Sequence, residues 1–265
     1  MTPVTVRRVP RGRYGFSHVA RMEWIKLRTL RSTWWTLAIT GAGSIAIGIA
    51  VGTNTRDPAG DLTNNALAGV VPGLLLVGVL GVLVMTSEYT SGMIRATLAA
   101  VPNRPLLLAA KAAVFGAVAL ALGEAVSFVS FFAGGVALRH GIAAPSLGQP
   151  GVLRAVLLAG TGFCLIGLLG VGLGAIIRHT PAAVATLVAG VYVVAQFIGA
   201  IAHSVAVYMP ILIVGNSLTT TKPECPRNPA QCPHFLSAWA GLGVLCVYAA
   251  VALAIGGWLM ARRDA

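Results

Sequence analysis

Apolar residues occur along this chain in long runs separated by short polar breaks. Six runs, at 34–51, 66–86, 106–138, 152–177, 182–205 and 237–260, reach the ~18 residues taken as a membrane-crossing helix. The breaks carry turn and stop chemistry: Asp57, Pro58 and Asp61 after the first run, Pro145 and Pro150 after the third. A tight turn at Arg178, His179, Thr180 and Pro181 separates the fourth from the fifth. At 1.5 Å per residue the third run is roughly 50 Å long, against a hydrocarbon core of ~30 Å, so it must tilt or project. Residues 208–221 are apolar but too short to cross, and Gly215 and Asn216 interrupt them. They read as a re-entrant or interfacial piece whose free backbone groups face protein or water. The pattern predicts an all-α polytopic membrane protein with six transmembrane helices.

Ahead of the first run, residues 1–16 are basic and carry Pro3, Pro10, Gly12 and Gly15, which reads as a disordered arm. Residues 17–33 have helical composition, with Ser17 as the expected N-cap. At 100° per residue Val19, Ala20, Leu27 and Leu30 gather on one arc with Arg21 and Arg28 opposite, while Glu23 interrupts the apolar arc. This predicts an interfacial helix leading into the first span, with Trp24, Trp34 and Trp35 at headgroup depth. A plain helical extension of that span is the alternative. Residues 17–265 then form a single transmembrane domain.

Composition agrees: 57% of the 265 residues are hydrophobic and 10% charged, against about 25% charged in soluble domains, and mean hydropathy is +0.83. The net charge of +12 is unevenly placed. With six spans, 14 of the 19 Lys and Arg fall on the side of the termini, eight of them before residue 32. That is the positive-inside pattern, so both termini are expected in the cytoplasm, with anionic lipid attracted to the basic arm. Nucleic-acid binding is set aside, because these residues have no soluble fold to display them. The Ala, Gly, Val and Arg bias fits a GC-rich bacterium, hence a bacterial cytoplasmic membrane.

Candidate chemistry is sparse. Cys225 and Cys232, separated by six intervening residues among prolines in the last outer loop, suit a disulfide, with free thiols as the alternative. Metal binding there lacks a fourth ligand besides His234, so no metal is assigned. Cys164 and Cys246 lie in apolar runs as packing residues. Glu124, about 27 Å along the third helix from its start, is an intramembrane acid. It lines a substrate pathway or makes a protonated structural contact, with Tyr192, Gln196 and His203 as candidate partners. Gly48 with Gly52 and Gly170 with Gly174 are small-residue pairs suited to close helix packing. There is no P-loop, no His-Glu-x-x-His and no Gly-x-Ser-x-Gly, so neither ATP hydrolysis by a P-loop nor these hydrolytic chemistries are expected of the chain.

One polar connector carries more order than a loop requires. It contains Glu88, Tyr89, Gly92 and Arg95, then Pro102, Arg104 and Pro105, then Lys111. Ser87 is read as the cap of a short helix over 88–99, with Glu88 favourably in its first turn and Arg95 near the same face. Gly92 permits close approach by a partner, Pro102 ends the helix and Pro105 starts the next. A bland polar hairpin would also explain these prolines and charges. The pattern Glu88-Tyr89-x-x-Gly92-x-Ile94-Arg95-x-x-Leu98, with Pro102-x-Arg104 and Lys111, resembles the cytoplasmic loop of ABC type-2 exporter permeases. Glu23-x-x-Lys26-x-x-x-x-Arg31 followed by Trp34-Trp35 is similar to the start of the family's simple bacterial members. Met93 stands where a small polar residue is more usual.

The resemblance implies a non-enzymatic permease subunit for ATP-driven export of an amphipathic drug-like, lipid or peptide compound, such as a drug or antibiotic. Two permease copies, alike or different, would pair with two copies of a separate ATPase subunit that binds ATP and Mg. The chain itself would hold no cofactor. The helix at 88–99 would dock on the ATPase, with Glu88 and Arg95 as polar contacts and Glu23 bracing them. A proton-coupled secondary transporter using Glu124 is the rival reading, and an intramembrane enzyme a weaker one, since no nucleophile–base pair is apparent.

Overall fold

A computed structural model describes residues 15–58, 60–138, 142–201, 203–220 and 236–262, with the backbone alone at 196, 199–201, 203 and 204. The described residues are mostly helical, with no strand among them. α1 (Phe16–Thr29) leads through Leu30 into α2 (Arg31–Asn54). Short α3 (Leu62–Ala66) precedes α4 (Val70–Thr90), and short α5 (Met93–Ala100) precedes α6 (Arg104–Val136). α7 (Val152–Ile177) follows, then α8 (Thr180–Val188), a π-helical turn (Ala189–Val193), α9 (Val194–Ile201) and α10 (His203–Ala206). α11 (Pro210–Leu218) and α12 (Ala238–Arg262) close the chain.

Among the described residues five helices, α2, α4, α6, α7 and α12, are long and apolar enough to cross a membrane. The run expected as a fifth span, 182–205, is instead divided among α8, the π-helical turn, α9 and α10. Gly190 within the valine-rich stretch Val188, Val191, Val193 and Val194 weakens the regular α-helical ladder there. The divided run lies along α4. The Thr180 hydroxyl donates to Thr86 Oγ1 (2.9 Å) near one end, and Tyr192 donates to the Val71 carbonyl (3.1 Å) near the other.

α7 sits at the centre of the bundle, packed by α4, α6, α12, α8 and α11. Glycine makes the α4–α7 approach possible. A Cβ on Gly170 would meet the Gly78 carbonyl, and one on Gly81 would meet the Gly167 carbonyl. The two backbones are therefore in mutual contact, the arrangement small residues allow between membrane helices. Gly48 and Gly52 likewise abut the Ala66 and Gly134 carbonyls at 2.5 and 2.6 Å from an added Cβ.

α6 is the 33-residue helix expected from its apolar run, capped by Asn103 accepting from the Leu106 amide (3.2 Å), with Pro105 in its first turn. α1 is also observed, but Gly15, not Ser17, is its N-cap, and Ser17 lies inside the helix. The 208–221 stretch contains α11, nine residues long, with Ile211, Ile213, Val214 and Leu218 buried against α7 and α12. The basic arm at 1–14 and the loop bearing Cys225 and Cys232 lie outside the described residues.

Candidate functional site

Four charged side chains from three helices meet inside one end of the bundle. Lys111 Nζ lies 2.5 Å from Glu23 Oε2 and 2.7 Å from Glu88 Oε1. Lys26 Nζ lies 3.0 Å from Glu23 Oε1 and 3.0 Å from Glu88 Oε1, and donates to Thr97 Oγ1 (3.3 Å). Glu23, Glu88 and Lys111 are 2%, 5% and 2% exposed, which only mutual pairing makes tolerable. The formal charges cancel, two against two. The cluster ties α1, the last turn of α4, α5 and the second turn of α6 into one unit.

The local reasons are legible. Val19, Glu23 and Leu27 recur every four residues and are the buried face of α1. Glu23 is therefore the polar centre of the buried face. Glu88 sits at the C-terminal end of α4, where the helix dipole disfavours an anion, and two ammonium groups offset this. Burial works to lower the Lys26 pKa, the carboxylates of Glu23 and Glu88 raise it, and the net shift is upward.

This geometry corrects two expectations. The short helix does not begin at Glu88, because α4 runs on to Thr90 and Gly92, at φ +71°, breaks the chain before α5. Ser87 is not its cap but an internal residue of α4, whose carbonyl accepts from the Ser91 hydroxyl (2.7 Å). Glu88 therefore points inward to lysines and is not presented to a partner. Arg95 lies on a different helix from Glu88 and on its exposed face, with Met93 beside it, while Ile94 and Thr97 form the buried face. Gly92 is exposed, with open space where a side chain would stand.

Tyr89 is half-buried and offers its ring to the Arg178 guanidinium, 5.2 Å from the ring centroid. Arg178 also donates to the Leu259 carbonyl (3.2 Å), and Arg104 donates to the Met260 carbonyl (2.8 Å). Two cations thus cap the C-terminal turn of α12 beside the cluster, satisfying carbonyls that have no partner within the helix. α1 and the end of α12 lie at the same end of the bundle.

Of the proposed pathway residues, Glu124 and Tyr192 do not meet. Glu124 lies between α6 and α7, its Oε1 accepting weakly from Thr161 (3.4 Å) while Oε2 is buried without a partner. The carboxyl rests against Gly160, where an added Cβ would come within 2.6 Å of Oε1. Tyr192 instead reaches α4, and the side chain of Gln196 lies outside the described set. Cys164 and Cys246 carry free thiols; Cys164 is half-buried and Cys246 exposed. Among the described residues no cluster of His, Cys, Asp and Glu could hold a metal.

The residues sequence reasoning left off its site are Lys26, Thr97 and Lys111. Lys111 had a readable signal, a cation seven residues into a 33-residue apolar helix, matched by Glu23 on an otherwise apolar arc. Neither a family model nor a curated protein matches the chain.

Proposed function

We propose that this chain is the permease subunit of an ATP-driven exporter of the ABC type-2 kind, moving an amphipathic compound out across a bacterial cytoplasmic membrane. The reading rests on one observation, the junction of α5 with the buried charge cluster. α5 turns Met93 and Arg95 outward and fixes Thr97 inward on Lys26. A load on its outer face passes through Thr97 and Lys26 to α1, α4 and the long α6. In this reading a separate ATPase, in two copies, docks on Met93 and Arg95. Glu88 and Glu23 brace the docking element from within. The divided run from Thr180 to Ala206 counts as a sixth crossing, and the charge asymmetry puts the cluster end and both termini in the cytoplasm. A second permease copy completes the pathway.

The test is co-purification with an ATPase encoded beside the chain. Stoichiometric recovery from wild type, reduced at least tenfold by Arg95→Glu with Met93→Asp at unchanged thermal stability, is the expected result. Export that persists with no ATPase present rejects the reading.

The buried, unpartnered Oε2 of Glu124 favours a second reading, proton-coupled transport, since an acid within an apolar span is a default candidate for a proton or substrate path. Loss of export in Glu124→Gln but not in Arg95→Glu would select it.

A further inference from the structure

The surface between α1 and α6 holds a groove of about 610 Å³ that the proposed mechanism does not use. Its mouth carries Arg21 and Trp24 from α1, and its floor is a shelf of Ala113, Ala117, Val118 and Ala121 on α6. Arg21 is exposed and makes no ion pair among the described residues, while the nearby Glu23 is turned to the opposite face and neutralised by two lysines. The groove mouth therefore carries uncompensated positive charge. From Ala113 to Ala121 the shelf rises about 12 Å, close to the ~15 Å depth of one leaflet's hydrocarbon. Alanine at successive turns keeps the shelf low, and the volume of the groove falls within the range of ligand-binding clefts.

We infer that this groove binds one anionic phospholipid, its phosphate on the Arg21 guanidinium and an acyl chain along the alanine shelf. Charge complementarity selects the headgroup. A planar guanidinium matches phosphate oxygens in pairs, and a zwitterionic lipid brings its own cation to that site. Trp24 supplies the amphipathic flank usual at headgroup depth. The inference rests on the chain being membrane-embedded with α1 at the interface, and is independent of any ATPase.

The experiment is native mass spectrometry of the purified full chain, delipidated and then exposed to mixed micelles of phosphatidylglycerol and phosphatidylcholine. Wild type should retain phosphatidylglycerol about fivefold over phosphatidylcholine, the ratio one basic residue near the surface supports. Arg21→Gln should bring the ratio to about one, and Ala117→Phe should abolish retention of both lipids, each with unchanged thermal stability. Arg28→Gln, on the same helix but outside the groove, should leave the ratio as in wild type. Equal retention of both headgroups by wild type, or an equal loss of preference in Arg28→Gln, overturns the proposal. Full lipid retention by Ala117→Phe overturns it too, and if that variant also loses self-association the groove belongs to a second copy. Because the assay contains no ATPase, a negative result leaves the permease reading standing, and failed ATPase capture leaves this one standing.

Discussion

Lys111 Nζ stands 2.5 Å from Glu23 Oε2, joining residues 88 positions apart in the chain. Both side chains are buried, so the pair closes α1 onto α6 at a point where neither charge could remain alone.

Lys111→Met should therefore destabilise the chain by about 3–5 kcal/mol, the cost of an uncompensated buried charge. It leaves Glu23 and Glu88 facing Lys26 alone. Removing Glu23 as well, in Glu23→Leu with Lys111→Met, restores one-to-one balance between Lys26 and Glu88. The double variant should be more stable than the single, as thermal unfolding in detergent will read.

The cluster should also set an alkaline limit. The Lys26 pKa in the folded chain lies above the ordinary lysine value of 10.5. A raised pKa means its contribution is complete below that value and is lost as pH rises through the folded one. Unfolding temperature should show no Lys26-dependent change between pH 6 and 9. Above about pH 10.5, wild type should lose stability more steeply than Lys26→Met.

Gly92 tests the break between α4 and α5. It holds φ +71° with nothing within reach of an added side chain, so any penalty is conformational rather than steric. Gly92→Ala should cost about 1–2 kcal/mol, and it should appear as faster amide exchange confined to α5.

Two glycines of α7 should behave differently. An alanine Cβ at Gly170 would strike the Gly78 backbone carbonyl, which cannot yield without separating α7 from α4. At Gly160 the obstacle is the mobile end of the Glu124 side chain. Gly170→Ala should abolish a folded, monodisperse product. Gly160→Ala should fold, with Glu124 displaced from Thr161 and its labelling by a hydrophobic carbodiimide altered at least threefold.

Much of the helical frame was legible because hydrophobic run length reports directly on whether a segment can be buried in lipid. α6 with Pro105 at its start, α1, and the short apolar piece preceding α12 follow from local composition, whereas the Asn103 cap was not anticipated. The divided run 180–206 was not legible, because average hydropathy is blind to whether each backbone amide bonds four or five residues back. The helix break at Gly92 was misplaced for a related reason. Glu88 through Arg95 reads as continuous helix by residue type, and one positive φ decides otherwise.

The sequence by itself determined that this protein is an all-helical chain with helices long and apolar enough to cross a membrane, and with a charged residue (Glu23, Glu88 or Lys111) in each of three otherwise apolar or connecting segments. Which charges meet was decided only by tertiary structure. Glu23 and Lys111 become partners because α1 folds back along the start of α6, and Glu88 joins them because α4 extends past its expected end. A charge on an apolar face is a defect in one dimension. In three dimensions low dielectric and burial turn the same residue into a fixed point, provided another element brings its counter-charge within 3 Å.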